Sequence, residues 1–136
     1  MKTCELIIIR GIPGSGKSTY AGGCYPRHIK LEADMYFINQ NGDYKFDGKK
    51  IKDAHKWCFD TACIFMNNGY NVVVSNTFTR ISEMQKYIDH ANSLDILVNV
   101  IRMNNEFGSI HNVPDEIIQN MKTRFEDYPD EIKVKM

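Results

Sequence analysis

Glu5-Leu6-Ile7-Ile8-Ile9-Arg10-Gly11-Ile12-Pro13-Gly14-Ser15-Gly16-Lys17-Ser18-Thr19 is the stretch on which the rest of the chain depends. Its first half is a β-branched apolar run, the pattern of a strand buried on both faces in a parallel sheet. Its second half has the form G-x-x-x-x-G-K-[ST], placed where a strand ends and a helix begins. Gly11, Gly14 and Gly16 let backbone N–H groups turn inward around phosphate oxygens, and the following helix adds the positive end of its dipole. Lys17 then reaches the β- and γ-phosphates, and the Ser18 hydroxyl ligates Mg²⁺. Pro13, Gly14, Ser15, Gly16, Lys17, Ser18 and Thr19 are therefore the expected nucleotide-binding residues, with Ser18 as the metal ligand. No guanine-reading Asn-Lys-x-Asp motif occurs, so ATP is favoured over GTP.

Outward from this loop, helical and strand patterns alternate. A helix is predicted from Lys17 to Cys24, stopped by Pro26, and a short strand from His28 to Ala33 ending at Asp34. Residues 39–48 hold Asn-Gly and Asp-Gly and read as an exposed loop. Ile51, Ala54, Cys58, Ala62 and Phe65 then form one apolar helix face, closed by Gly69. A valine strand from Asn71 to Ser75, a helix from Ile81 to Ala91 and a strand from Asp95 to Met103 follow. Asn104 to Val113 is polar. Pro114 is predicted as the first residue of a helix with Ile118, Met121 and Phe125 inward, ended by Pro129, before a short last strand from Ile132. This alternation means an α/β fold, a parallel sheet covered on both faces, within one domain over 1–136. Ligands of such sheets bind beyond the strand carboxyl ends, which selects Gly11 to Thr19, Asp34, Ser75 to Thr77, and Arg102 onward.

Seventeen Lys and Arg balance seventeen Asp and Glu, so net charge favours no polyanionic partner and any basic footprint must be local. The apolar run Leu6 to Ile9 is far too short for a membrane span. Cys4, Cys24, Cys58 and Cys63 lack metal-ligand spacing and read as reduced, buried thiols of a cytoplasmic protein.

Asp34 sits where a carboxylate would take a proton from an acceptor hydroxyl while Lys17 and Mg²⁺ hold the γ-phosphate; capping a turn is the alternative role. Ser75-Asn76-Thr77 offers only neutral oxygens at the end of the third strand. Lys45, Lys49, Lys50, Lys52 and Lys56 either face an anionic substrate or form a solvated surface, and Trp57 and Tyr44 either stack a base or pack. His111 lies in the segment after the fourth strand, where it contacts phosphate or orients the loop. Arg124 either approaches the base or pairs with Glu126 or Asp127.

The order of GIPGSGKSTYA, Asp34 in Glu-Ala-Asp-Met-Tyr-Phe, Ser75-Asn76-Thr77 and Ile-His-Asn-Val-Pro resembles the small P-loop kinase-type ATPases related to the kinase domain of phage polynucleotide 5′-kinase. The resemblance covers nearly the whole chain. It implies a three-layer core with strand order 2-3-1-4-5, and it matches Lys17 and Ser18 to the phosphate and Mg²⁺ residues and Asp34 to the general base. Asn76 stands at the place of that family's carboxylate, Phe37 near that of a substrate-side arginine. No arginine lies between Asn104 and Pro114, where the family's lid supplies one. The function expected is a phosphotransferase moving the γ-phosphate of Mg-ATP to a hydroxyl, that of a nucleic-acid 5′ end or of a nucleoside or nucleotide. A nucleotide-binding regulatory module with weak hydrolysis and a simple ATPase are the alternatives.

Overall fold

The computed structural model describes residues 4–106 and 113–135; His111 and the rest of 107–112 lie outside them. Strands β1 (Glu5–Arg10), β2 (Ile29–Leu31), β3 (Val72–Asn76), β4 (Leu97–Met103) and β5 (Ile132–Val134) form one sheet. Its order is β2-β3-β1-β4-β5, all parallel. Helices α1 (Lys17–Cys24), α2 (Ile51–Asn67), α3 (Ile81–Ser93) and α4 (Asp115–Arg124) connect or follow the strands. The expected strand order is the observed one.

The unbroken apolar run of β1 has a simple cause. Side chains alternate across a strand. Leu6 and Ile8 point into a core with Val72, Val74, Ala54, Cys58, Ala62, Met84, Ile88 and Ala91, under α2 and α3. Ile7 and Ile9 point the other way, into a smaller core with Val73, Ile101, Met103 and Ala21 of α1. Both faces are dry, so no polar position is tolerated until Arg10. Helix α2 shows Ala54, Cys58, Ala62 and Met66 buried at four-residue steps, with Gly69 (φ 82) supplying the left-handed residue that ends it.

Several expected boundaries shift, each for a local reason. Strand β2 is only Ile29–Leu31, and Asp34 lies in a 3₁₀ turn, Ala33–Phe37, rather than at the strand end. Ile51 begins α2 but is exposed instead of joining its inner face. Pro114 is the residue before α4, not its first. Helix α4 ends at Arg124 and not at Pro129, because Phe125 turns extended and lies between the guanidinium groups of Arg10 and Arg102, each 4.4 Å from its ring centre. The thiols are free, but against the expectation of burial Cys58 alone of the four is buried; Cys4 and Cys63 are half-buried and Cys24, at the end of α1, is exposed. Among the described residues no helix is long and apolar enough to cross a membrane.

The chain leaves β1 toward β2 on one side, and leaves β3 toward β4 across β1 on the other. A crevice is therefore forced between the carboxyl ends of β1 and β3. The phosphate loop and the 75–77 segment meet there, joined by a hydrogen bond from Gly11 N–H to the Thr77 carbonyl at 3.2 Å.

Candidate active site

The loop's shape follows from its glycines. Gly14 (φ 80) and Gly16 (φ 92) occupy the left-handed region that side chains disfavour. Gly11 serves a different need: a Cβ there would sit 2.4 Å from Ser15 Oγ and 3.0 Å from the Met103 carbonyl oxygen. The loop is thus folded onto itself and onto the end of β4. Asn105, just beyond β4, donates from Nδ2 to the Ser15 carbonyl at 3.2 Å and is itself buried. Pro13, Gly14, Gly16, Lys17, Ser18 and Thr19 line one cavity. Ser15 is fully buried; its N–H goes to the Ile12 carbonyl at 3.2 Å, and its hydroxyl has no hydrogen-bond partner among the described residues.

Lys17 folds back over the loop. Its ammonium donates to the carbonyls of Gly11 at 2.9 Å and Ile12 at 3.0 Å. Burial pulls its pKa down to about 8, against the opposing pull of the Glu32 and Asp34 carboxylates. The Ser18 hydroxyl donates to Glu32 Oε1 at 2.6 Å. Asp34 lines the same cavity, and the Tyr44 hydroxyl donates to its Oδ1 at a long 3.4 Å. Burial and that carboxylate both raise the Tyr44 pKa.

Asn76 accounts for the spacing. It ends β3, is buried, and its Oδ1 accepts from the Ala33 N–H at 2.8 Å, while its Nδ2 faces Cys58 Sγ at 3.7 Å. The side chain is consumed in pinning the turn between Glu32 and Asp34. Both acids consequently border the cavity on either side of the buried Ala33.

The cavity has a volume of about 740 Å³, within the range of small-molecule sites. Beyond the loop and the acids it is closed by Tyr44, Phe46, Ile51, His55, Ile117 and Met121. Burial lowers the His55 pKa, so the ring is neutral near pH 7. The expected partners separate here. Lys17, Ser18, Asp34 and Tyr44 are brought together. Trp57 packs against the core beside Tyr36, 6.2 Å away, and not on the cavity. Lys45, Lys49, Lys50, Lys52 and Lys56 are exposed, and Lys56 pairs with Asp60. Arg124 does not pair with Glu126 or Asp127. Its Nε donates to Thr79 Oγ1 at 3.2 Å, and Asp127 is paired with Arg102.

Glu32, His55 and Asn105 were missed by sequence reasoning. Glu32 had a readable signal, since it stands at the end of β2 two residues before Asp34. His55 lies four residues after Ile51, on the helix face that turns to the cavity. Nothing local marks Asn105.

Among curated proteins, human NEDD4-binding protein 2 is 36% identical over 87 residues, covering 61% of this chain; the match spans only 5% of that much longer protein. Among solved structures, a chain of the Pnkp1/Rnl/Hen1 RNA repair complex superposes with a TM-score of 0.69 at 18% identity, over 98% of this chain and 50% of that one. A gluconokinase from Sinorhizobium meliloti 1021 superposes with a TM-score of 0.62 at 17% identity, over 99% of this chain and 84% of that one. These likenesses establish the fold, that of P-loop kinases. The family model described as AAA domain matches residues 6–128, nearly the whole chain, and with the loop, the sheet order and the crevice in place the protein belongs to that family of P-loop kinases.

Proposed function

We propose that this protein is an ATP-dependent phosphotransferase that moves a γ-phosphoryl group to a hydroxyl. One observation carries the reading: the phosphate loop and Asp34 line the same cavity of about 740 Å³. Loop N–H groups and Lys17 would bind the β- and γ-phosphates; Ser18 would hold Mg²⁺, which supplies charge neutralisation at the phosphates. Of the two carboxylates among the described lining residues, Glu32 is bonded to Ser18, and Asp34 would take the hydroxyl proton. Such transfer is mainly positioning and charge stabilisation, so little further machinery is required.

The acceptor side also has a character. Tyr44 and Phe46 line it, and the cationic side chain among the described lining residues is Lys17, which the phosphates would occupy. Aromatic walls suit a base or nucleoside ring, and the exposed lysines 45–56 flank that side of the chain. This supports a nucleoside, nucleotide or nucleic-acid 5′-hydroxyl over a compact anion. A second reading, a nucleotide-binding module with weak turnover, draws on Asn76, whose oxygen is already engaged with Ala33.

The test is label transfer from γ-labelled ATP with Mg²⁺ to 5′-hydroxyl DNA and RNA oligonucleotides, nucleosides and nucleotides. Asp34→Asn should lose about 10²–10⁴-fold in transfer while still binding ATP. Lys17→Ala should lose both. Nucleotide binding with no labelled acceptor would reject the phosphotransferase and favour the second reading.

A further inference from the structure

Glu32 and Asp34 are carboxylates two residues apart in one cavity, and their contacts divide them. Glu32 accepts from Ser18, on the phosphate side, at 2.6 Å. Asp34 accepts from Tyr44, on the acceptor side. The buried Ala33 between them is fixed by Asn76 Oδ1, so neither acid can readily exchange places with the other. Glu32 itself is extended (φ −139, ψ 143), and its side chain reaches Ser18 in the first turn of α1.

A divalent cation on a triphosphate keeps several waters, and those waters need anionic hydrogen-bond acceptors. The donor set suits such an ion: a serine hydroxyl at a helix start, an adjacent carboxylate, and, among the described residues that line the cavity, Lys17 as the charged cationic side chain. Asn76 Oδ1 is neutral and already accepts from the Ala33 N–H, so it attracts the waters of a cation less than a carboxylate does. Asp34 is turned toward Tyr44. We propose that Glu32 is the carboxylate that positions the hydrated metal ion beside Ser18, leaving Asp34 to the acceptor hydroxyl. In the absence of nucleotide the same carboxylate holds the Ser18 hydroxyl in place. It also contributes to keeping Lys17 charged. The inference rests on the nucleotide-binding reading and assigns a role within it.

The experiment measures binding of the non-hydrolysable ATP analogue AMP-PNP by calorimetry, in EDTA and in saturating Mg²⁺, so no turnover enters. The quantity read is the gain in affinity on adding Mg²⁺. Glu32→Gln should lose about 10–100-fold of that gain. Its affinity in EDTA should hold or improve, since a negative charge near the phosphates is gone. Glu32→Asp should keep part of the gain, and Asp34→Asn should keep it in full. Melting temperatures of each variant separate a folding defect from a metal effect, and Mn²⁺ titration followed by electron paramagnetic resonance repeats the comparison directly. A full Mg²⁺ gain in Glu32→Gln, or an equal loss in Asp34→Asn, would overturn the assignment while leaving nucleotide binding intact. A wild-type protein that binds no AMP-PNP in either condition would instead remove the reading beneath it.

Discussion

Lys17 offers a pH signature that follows from its burial. Its pKa in the free protein is about 8, down from 10.5. At pH 7 about nine molecules in ten carry the charge; at pH 9 about one in ten does. A bound triphosphate favours the charged form, so binding at pH 9 should draw in about 0.9 proton, against about 0.1 at pH 7. Affinity should fall by about tenfold per pH unit above pH 8, until the pKa of the complex is reached. The assay is calorimetry with ATP in EDTA, in paired buffers of different ionisation enthalpy, at values above the last ionisation of the triphosphate. Stability moves the opposite way. The folded pKa lies below the unfolded one, so between about 8 and 10.5 the unfolded chain binds more protons and stability rises with pH. The displacement corresponds to about 3 kcal/mol of destabilisation at neutral pH, relieved across that window. Lys17→Met should flatten the stability profile. Proton uptake at pH 9 equal to that at pH 7, or an unchanged stability profile in Lys17→Met, would refute the reasoning.

Two further substitutions probe the frame around the site. Gly11→Ala should destabilise by about 1–3 kcal/mol in urea titrations and weaken ATP binding, because the new methyl meets Ser15 Oγ and the Met103 carbonyl; adding Ser15→Gly should recover part of the loss. Glu131→Ala should cost about 3–5 kcal/mol, since it leaves the fully buried Arg10 guanidinium without its 2.8 Å carboxylate partner. The double variant Arg10→Met with Glu131→Leu should lie closer to wild type, and a Glu131→Ala loss under about 1 kcal/mol would show that Arg10 is held by Phe78 and Phe125 alone.

Local patterns carried much of this molecule. The run Leu6 to Ile9 predicted a doubly buried strand because both of its faces pack on helices. The glycine spacing announced a phosphate loop because its backbone angles and its contact with Ser15 leave no room for side chains. The strand order came with the family resemblance, and the alternation of elements is consistent with it. The sequence also singled out Asp34 as an acid beyond a strand end, though it read the turn that holds it as strand.

What it did not carry are relations between segments far apart in the chain. That Asn76 holds Ala33, 43 residues away, depends on β2 and β3 being neighbours. Arg10, read as a strand terminus, is the partner of Glu131 across 121 residues. Phe125 ends α4 because Arg10 and Arg102 are side by side in register. Residue type and spacing determine which conformations a segment favours and which chemistry it can host, because those are short-range effects of sterics and hydrogen bonding. Which carboxylate meets Ser18 and which faces the acceptor was decided only by the folded sheet, where packing brings distant side chains within hydrogen-bond reach.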